Sequence, residues 1–318
     1  MARLHVEGWA PEYGNPFDPD PELLDETKVD EAVEIAGRWD PIDGQDDGVE
    51  VIAFVDGVRR VDARLVLDDT SGPVPGICGS FGVGAVLWDR AREISEFESC
   101  LVHRLALFGS GRGHPFPPVS PELTYSSESV AESDPAALIQ RFHGAMRKAE
   151  AVLSERLAQQ GLFVVADGPI NDLSATEKVG YIKTHRAPYL SEVALPVVGR
   201  LRAGQRTPLF LIGAGGAYPR YSWYFKLADL PGGHSWTGVV RGELSSHLDL
   251  ATAVNVANRA TAVLPLVGSQ PHRDPRAPQN LVPIAALERR LRRLLGDGTF
   301  VHRQLRSAVM RDLAGSGR

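Results

Sequence analysis

Apolar positions along the chain follow two kinds of pattern. Continuous runs, Val51-Ile52-Ala53-Phe54-Val55 and Leu162-Phe163-Val164-Val165-Ala166, read as strands buried on both faces. Residues 59–67 alternate instead, with Val61, Ala63, Leu65 and Leu67 on one side, the period of a half-buried strand. Both continuous runs end in Asp-Gly, at Asp56-Gly57 and Asp167-Gly168. The first Asp-Gly predicts a turn that pairs 51–56 with 59–67 as a hairpin. Further strands are expected at 77–88, 101–108, 180–183, 208–212, 220–228 and 235–244. In 77–88, Gly79, Gly82 and Gly84 imply bulges or close approach.

Helical spacing is clearest after Ser133-Asp134-Pro135. Asp134 suits a cap and Pro135 the first turn. Leu138, Phe142, Met146, Ala149, Val152, Leu153 and Leu157 then form an apolar stripe at steps of three and four, and Gly161 ends the helix. Residues 248–262 and 282–295 read as further helices, and 23–37 as a short helical possibility. Residues 40–48 and 109–130 are rich in turn formers and read as loops. Strands, then a helix, then a strand and further elements predict an α/β fold built on a mixed sheet. No internal repeat at a fixed period is evident.

Length and charge refine this picture. The 318 residues allow one large domain or two modest ones, and 43% apolar residues are enough for a sizeable core. The net charge of −6 is unevenly spread. Residues 1–50 carry 15 acidic and 3 basic side chains, so the remainder is mildly basic at +6. That suits a protein that meets a phosphate backbone outside its acidic segment. Three regions are expected: an acidic N-terminal arm at 1–48, a main domain at 49–300 and a basic C-terminal tail at 301–318. No 18-residue apolar run stands out, so no membrane span is expected. The start lacks an apolar signal core. Cys78 and Cys100 read as reduced, buried thiols, and a cytoplasmic location is expected.

Several chemistries are excluded. Gly213-Ala214-Gly215-Gly216 lacks the third glycine of a dinucleotide loop, since Tyr218 and Pro219 follow. The chain contains no phosphate-binding P-loop, so ATP chemistry would come from a partner. HExxH, CxxC and GxSxG are also missing from the sequence.

An acid at the end of a buried strand is costly to desolvate unless a compensating charge lies nearby. Asp56 and Asp167 on neighbouring strand ends would hold one or two divalent cations, which take oxygen ligands and serve phosphoryl transfer. The alternative is that each Asp-Gly merely starts a turn. Glu150 borders the apolar stripe of the long helix, 17 residues before Asp167. It is either a third acid of the same site or a solvated helix charge.

The order of these pieces resembles the NurA nuclease family over about residues 50–295. The marks are Val55-Asp56-Gly57, Glu150, Val165-Ala166-Asp167-Gly168-Pro169-Ile170 and Val179-Gly180-Tyr181-Ile182-Lys183-Thr184. They continue with the aromatic strand from Arg220 to Lys226 and with Val239-Val240-Arg241-Gly242-Glu243-Leu244. The resemblance implies an RNase H-like mixed sheet with flanking helices, and a Mn²⁺- or Mg²⁺-dependent nuclease acting on single- and double-stranded DNA. It also implies a homodimer working with a HerA-type hexameric ATPase, in DNA repair or antiviral defence. Asp56, Glu150 and Asp167 match the metal-binding acids, and Lys183 the basic residue after the second acidic strand. Near the C-terminus the family's Tyr-Pro segment is not evident. The expected His or Asp position falls on Leu287 or Glu288, and Glu288 is assigned as the fourth acid.

Candidate DNA contacts are Arg59, Arg186, Arg220, Arg241, Arg289, Arg292 and Arg293, the last three sharing one helical face. Tyr221 and Trp223 on one side of their strand, and Tyr224 on the other, suit base stacking or core packing. Two other functions fit the same residues. One is a degenerate NurA-like subunit that docks on a translocase without cutting. The other is an RNase H-like nuclease that acts on RNA.

Overall fold

The computed structural model describes residues 28–69, 72–170, 174–184, 189–216 and 218–316. In chain order its strands are β1 (Val29–Asp30), β2 (Ile42–Asp43), β3 (Val51–Asp69), β4 (Gly72–Asp89), β5 (Ile94–Phe108) and β6 (Ser126–Ser129). Helix α1 (Pro135–Gln159) follows, then β7 (Phe163–Asp167), β8 (Lys178–Ile182), β9 (Gln205–Arg206), β10 (Phe210–Ile212), β11 (Arg220–Lys226) and β12 (Val239–Ser245). Helices α2 (Leu250–Val263), α3 (Val282–Leu294) and α4 (Gly298–Ser316) complete the chain. The architecture is the mixed sheet with flanking helices that the sequence predicts. The chain divides into two compact units, each discontinuous in sequence.

The first unit comprises Met1–Phe54, Leu87–Glu96 and Ser154–Ala285. Its strands run in the order β1-β10-β11-β12-β8-β7-β3, with β3 contributing its first four residues. β7 and β8 are parallel, whereas β10, β11 and β12 are antiparallel to their neighbours. Alternation along β11 decides which residue meets which layer. Trp223 and Phe225 join a core with Val256, Ala257, Ala260 and Val263 of α2. Tyr224 enters a second core with Leu190, Val197 and Val198. Trp223 and Tyr224 are fully buried, so packing rather than base stacking accounts for them.

The acidic segment is built into this unit from residue 28 onward. Trp39 lies in the second core, and β1 pairs with β10. The Glu34 carboxylate receives both terminal nitrogens of Arg206, each at 2.8 Å, and the Leu209 amide. The described part of 23–37 therefore forms a strand and irregular backbone, where the sequence pattern had suggested a helix. One 18-residue segment, Leu250–Val267, does pass a membrane test of length and composition, against expectation. Half of it is buried, and its residues at steps of three and four pack into the first core, so it is a core helix.

The second unit comprises Val55–Val86, Phe97–Leu153 and Ala286–Arg318, with strand order β3-β4-β5-β6. Its glycines report how the helices lie on it. A Cβ on Gly79 would collide with the Phe142 ring of α1, and one on Gly84 would stand 3.0 Å from Leu287 of α3. Residues 79 and 84 project to opposite faces of a strand. Helix α1 therefore covers one face and α3 the other. These are the close approaches that the glycines of β4 predict. Val152 was assigned to the buried stripe of α1 but is 63% exposed, because Leu153, one step around the helix, takes the inward position. The basic tail is helical: Val301, Leu305 and Ala308 of α4 pack with Cys78 and Phe108.

The largest departure from expectation lies at residue 56. No turn occurs at Asp56-Gly57: β3 runs unbroken for 19 residues. Cys78 and Cys100 are free, as expected, Cys78 buried and Cys100 partly so.

Candidate metal centre

In the second unit, Asp56 lies inside β3, 7% exposed, and its Oδ1 accepts the Gly57 amide at 2.8 Å. Val58, two residues on and so on the same face, packs against Leu287, Leu291 and Leu295. Asp56 therefore faces α3. The residue that α3 presents there is Glu288. A carboxylate oxygen of Glu288 lies within 4.8 Å of one of Asp56. Leu287, the alternative for this position, is fully buried beside Val58 and Val86. Two carboxylates this close repel unless a positive charge lies between them. Arg292, one turn further along α3, approaches Glu288 only to 3.7 Å and is 65% exposed.

Glu150 occupies the other face. A Cβ on Gly57 would overlap the Glu150 carboxylate and come within 3.1 Å of Met146. Glycine stands at 57 because α1 seats a carboxylate on the strand there, not because the chain turns. Successive residues of a strand point to opposite sides, so Glu150 lies on the α1 face and Asp56 looks toward α3.

In the first unit, Asp167 ends β7 and Gly168, bridged to Tyr181, follows with φ of 109° in the left-handed region. Parallel pairing sets Asp167 against Tyr181, and Lys183 lies just beyond. The Lys183 ammonium reaches Asp167 Oδ2 at 2.5 Å, with both side chains largely shielded from water. That ion pair fixes the carboxylate's direction.

The segment after Asp167 is anchored by a residue that sequence reasoning left without a role. Glu243 of β12 is fully buried; its Oε2 accepts the Ile170 amide at 3.2 Å. Its Oε1 receives Arg241 at 2.5 Å and Arg220 at 2.9 Å. Burial pushes the Glu243 carboxyl up, but the two guanidinium charges outweigh it and hold the group below its ordinary value. Arg241 is 5% exposed and also lies over the Tyr189 ring. Arg220 and Arg241, expected on a DNA surface, instead belong to this interior cluster. The signal was present in the sequence: Arg241 and Glu243 are two apart in a strongly apolar strand, hence on one face.

The far end of the same loop is held by Glu155 of α1. It accepts Lys178 at 2.5 Å, Ser174 at 2.6 Å and Thr176 at 2.9 Å. Burial opposes its ionisation, yet these donors bring its pKa to about 2. Asp167 therefore sits at the start of a connection pinned at both ends.

The remaining predicted residues fall into three groups. Arg289, Arg292 and Arg293 are exposed on α3, beginning one residue after Glu288. Arg59 is half-buried on β3. Arg186 lies outside the described residues.

No protein-family model and no curated protein matches the sequence. Among solved structures, the fold is similar to that of the NurA nuclease from Sulfolobus solfataricus. That match has 12% identity and a TM-score of 0.44, covering 81% of this chain and 86% of that one. It is also similar to the catalytic domain of human Endonuclease V, with 13% identity and a TM-score of 0.33, covering 79% and 85% respectively.

Proposed function

We propose that the protein is a divalent-cation-dependent DNA nuclease of the NurA type with an RNase H-like core, in which Asp56, Asp167 and Glu288 hold the ion. The observation that carries this reading is that carboxylate oxygens of Asp56 and Glu288, from a strand and a helix of the second unit, lie within 4.8 Å of each other; Asp167 is added from the family resemblance. Carboxylate oxygens are hard donors that suit Mn²⁺ or Mg²⁺, and nothing in the set is a soft ligand. A cation held there would supply positive charge beside a phosphodiester and make a neighbouring water more acidic.

The protein's own part is placement. Asp56 is fixed by its strand and by the Gly57 amide. Asp167 is aimed by Lys183, which also adds a positive charge where a phosphate would bind. Glu288 is carried by a helix whose apolar side is buried on β3 and β4. Arg289, Arg292 and Arg293 extend from Glu288 as an exposed basic face that can follow a DNA backbone. In this reading Glu150 is not an ion ligand. Its carboxylate braces Gly57 on the opposite face. Homodimerisation, a HerA-type hexameric ATPase partner and a cytoplasmic role in DNA repair or defence complete the proposal, and these rest on the family resemblance alone.

The test is cleavage by the purified full chain. Single-stranded DNA, duplex DNA and RNA of one sequence are incubated with Mn²⁺, Mg²⁺ or chelator, with and without a HerA-type ATPase. DNA cleavage with Mn²⁺ that chelator abolishes is the expected result. Cleavage confined to RNA would replace the substrate, and no cleavage under any condition would leave a docking subunit as the function.

A further inference from the structure

We infer that Arg60 is a positioning residue for the acidic pair of the second unit: it staples the helix that carries Glu288 to the strand that carries Asp56. This rests on the reading of Asp56 and Glu288 as ion-holding groups, and it adds how their separation is set.

Arg60 lies four residues beyond Asp56 on the same face of β3, about 13 Å along the strand. Its Nε donates to Asp62 Oδ1 at 2.7 Å. Its two terminal nitrogens donate to main-chain oxygens at the C-terminal end of α3, to Gly296 at 2.6 Å and Leu295 at 3.1 Å. A helix leaves its last carbonyls without partners and partly negative, so a guanidinium is a suitable donor there. One planar fork thus holds a strand carboxylate and two helix-end carbonyls at once, which an ammonium cannot reproduce.

The strand side of the staple is itself fixed. The Asp62 side chain is fully enclosed. Besides Arg60 it accepts the Tyr125 hydroxyl at 2.8 Å and the Ser80 hydroxyl, and Arg104 donates to Ser80 in turn. A ring nitrogen of His302, in α4, lies 3.0 Å from the Asp62 main-chain oxygen. A buried, fully engaged carboxylate of this kind specifies one arrangement, since each partner is costly to lose.

The acidic pair needs such a device. Leu287, Leu291 and Leu295 hold α3 on β3 and β4 through apolar packing, which is strong but non-directional. A slide of α3 by one residue is about 1.5 Å, enough to misplace Glu288 relative to Asp56. Leu295, the residue that follows the last of α3, lies seven residues, about 10 Å, beyond Glu288. Bonds made there fix the helix along its axis without entering the acidic pair.

The test measures Mn²⁺ affinity calorimetrically on the full chain for wild type, Asp56→Asn, Arg60→Lys and Arg60→Gln, with the melting temperature of each. Lysine keeps a charge beside Asp62 but loses the fork. Glutamine keeps one donor and loses the charge, so a second variant remains if one fails to fold. Wild type should bind Mn²⁺ and Asp56→Asn should not. Folded Arg60→Lys and Arg60→Gln should then bind at least about tenfold more weakly, the scale seen when a group that orients a ligand is removed. If both Arg60 variants matched wild type while Asp56→Asn lost binding, the staple would be disproved and the metal reading would stand. If wild type bound no Mn²⁺, or Asp56→Asn bound as tightly, the metal reading would fail and the staple with it.

Discussion

Asp56→Ala is expected to lower Mn²⁺-dependent cleavage of single-stranded DNA by at least about a thousandfold, roughly 4 kcal/mol of barrier. The size follows from the position. Asp56 is the most buried of the three acids, at 7% exposure, and lies inside a continuous strand that cannot move to compensate. The same change should leave stability in chelator unchanged or raised. It removes one of two carboxylates whose oxygens approach within 4.8 Å, and with it a like-charge repulsion. Lost activity with retained melting temperature separates a functional acid from a structural one. Cleavage by Asp56→Ala at the wild-type rate, still sensitive to chelator, would remove the residue from the site.

Glu243→Gln should have the largest effect on stability, about 3–5 kcal/mol as read from the denaturation midpoint. The physical reason is charge left behind. Arg241 and Arg220 converge on one carboxylate oxygen in the interior, and an amide of the same shape cannot neutralise either. Native Glu243 is held ionised despite complete burial, so the guanidiniums depend on it as it depends on them. The loss should extend to the loop that begins at Asp167, because Glu243 also accepts the Ile170 amide. A midpoint shifted by less than about 1 kcal/mol would mean that the cluster relaxes or is hydrated, and that it does not hold the loop.

Much of this was legible in the residues. The second apolar run, the stripe of α1 and the capped start at Asp134 all became elements close to their expected limits, because burial and helical period dominate there. Asp134 does cap α1, accepting the Ala136 amide at 3.0 Å. Asp56-Gly57 was misread because Asp-Gly is also a hairpin dipeptide. Only a long-range neighbour, the Glu150 carboxylate on α1, explains the glycine. The same geometry places the Glu150 carboxylate beside Gly57 on the α1 side, a placement that depends on strand parity and cannot be read from its 17-residue distance to Asp167.

Charges followed a similar division. Arg289, Arg292 and Arg293 lie exposed as their helical spacing implies, since local period alone decides that. Arg220 and Arg241 read from the sequence as surface cations, whereas both converge on the buried Glu243. Arg241 pairs with Glu243 within β12, whereas Arg220 reaches it only because β11 lies beside β12, a non-local register that sets Ser222 opposite Glu243. Asp62 was invisible for the same reason: Ser80 and Tyr125 meet it from segments distant in sequence.

The central claim is the proposal that Asp56 and Glu288, with Asp167 added from the family resemblance, hold a cation. The most direct measurement is an anomalous-scattering map from crystals of the full chain grown with Mn²⁺. The account predicts a peak bonded to carboxylate oxygens of Asp56, Asp167 and Glu288, with Glu150 uninvolved. A well-ordered map with no peak at these residues, or with Mn²⁺ held by other side chains, would contradict it.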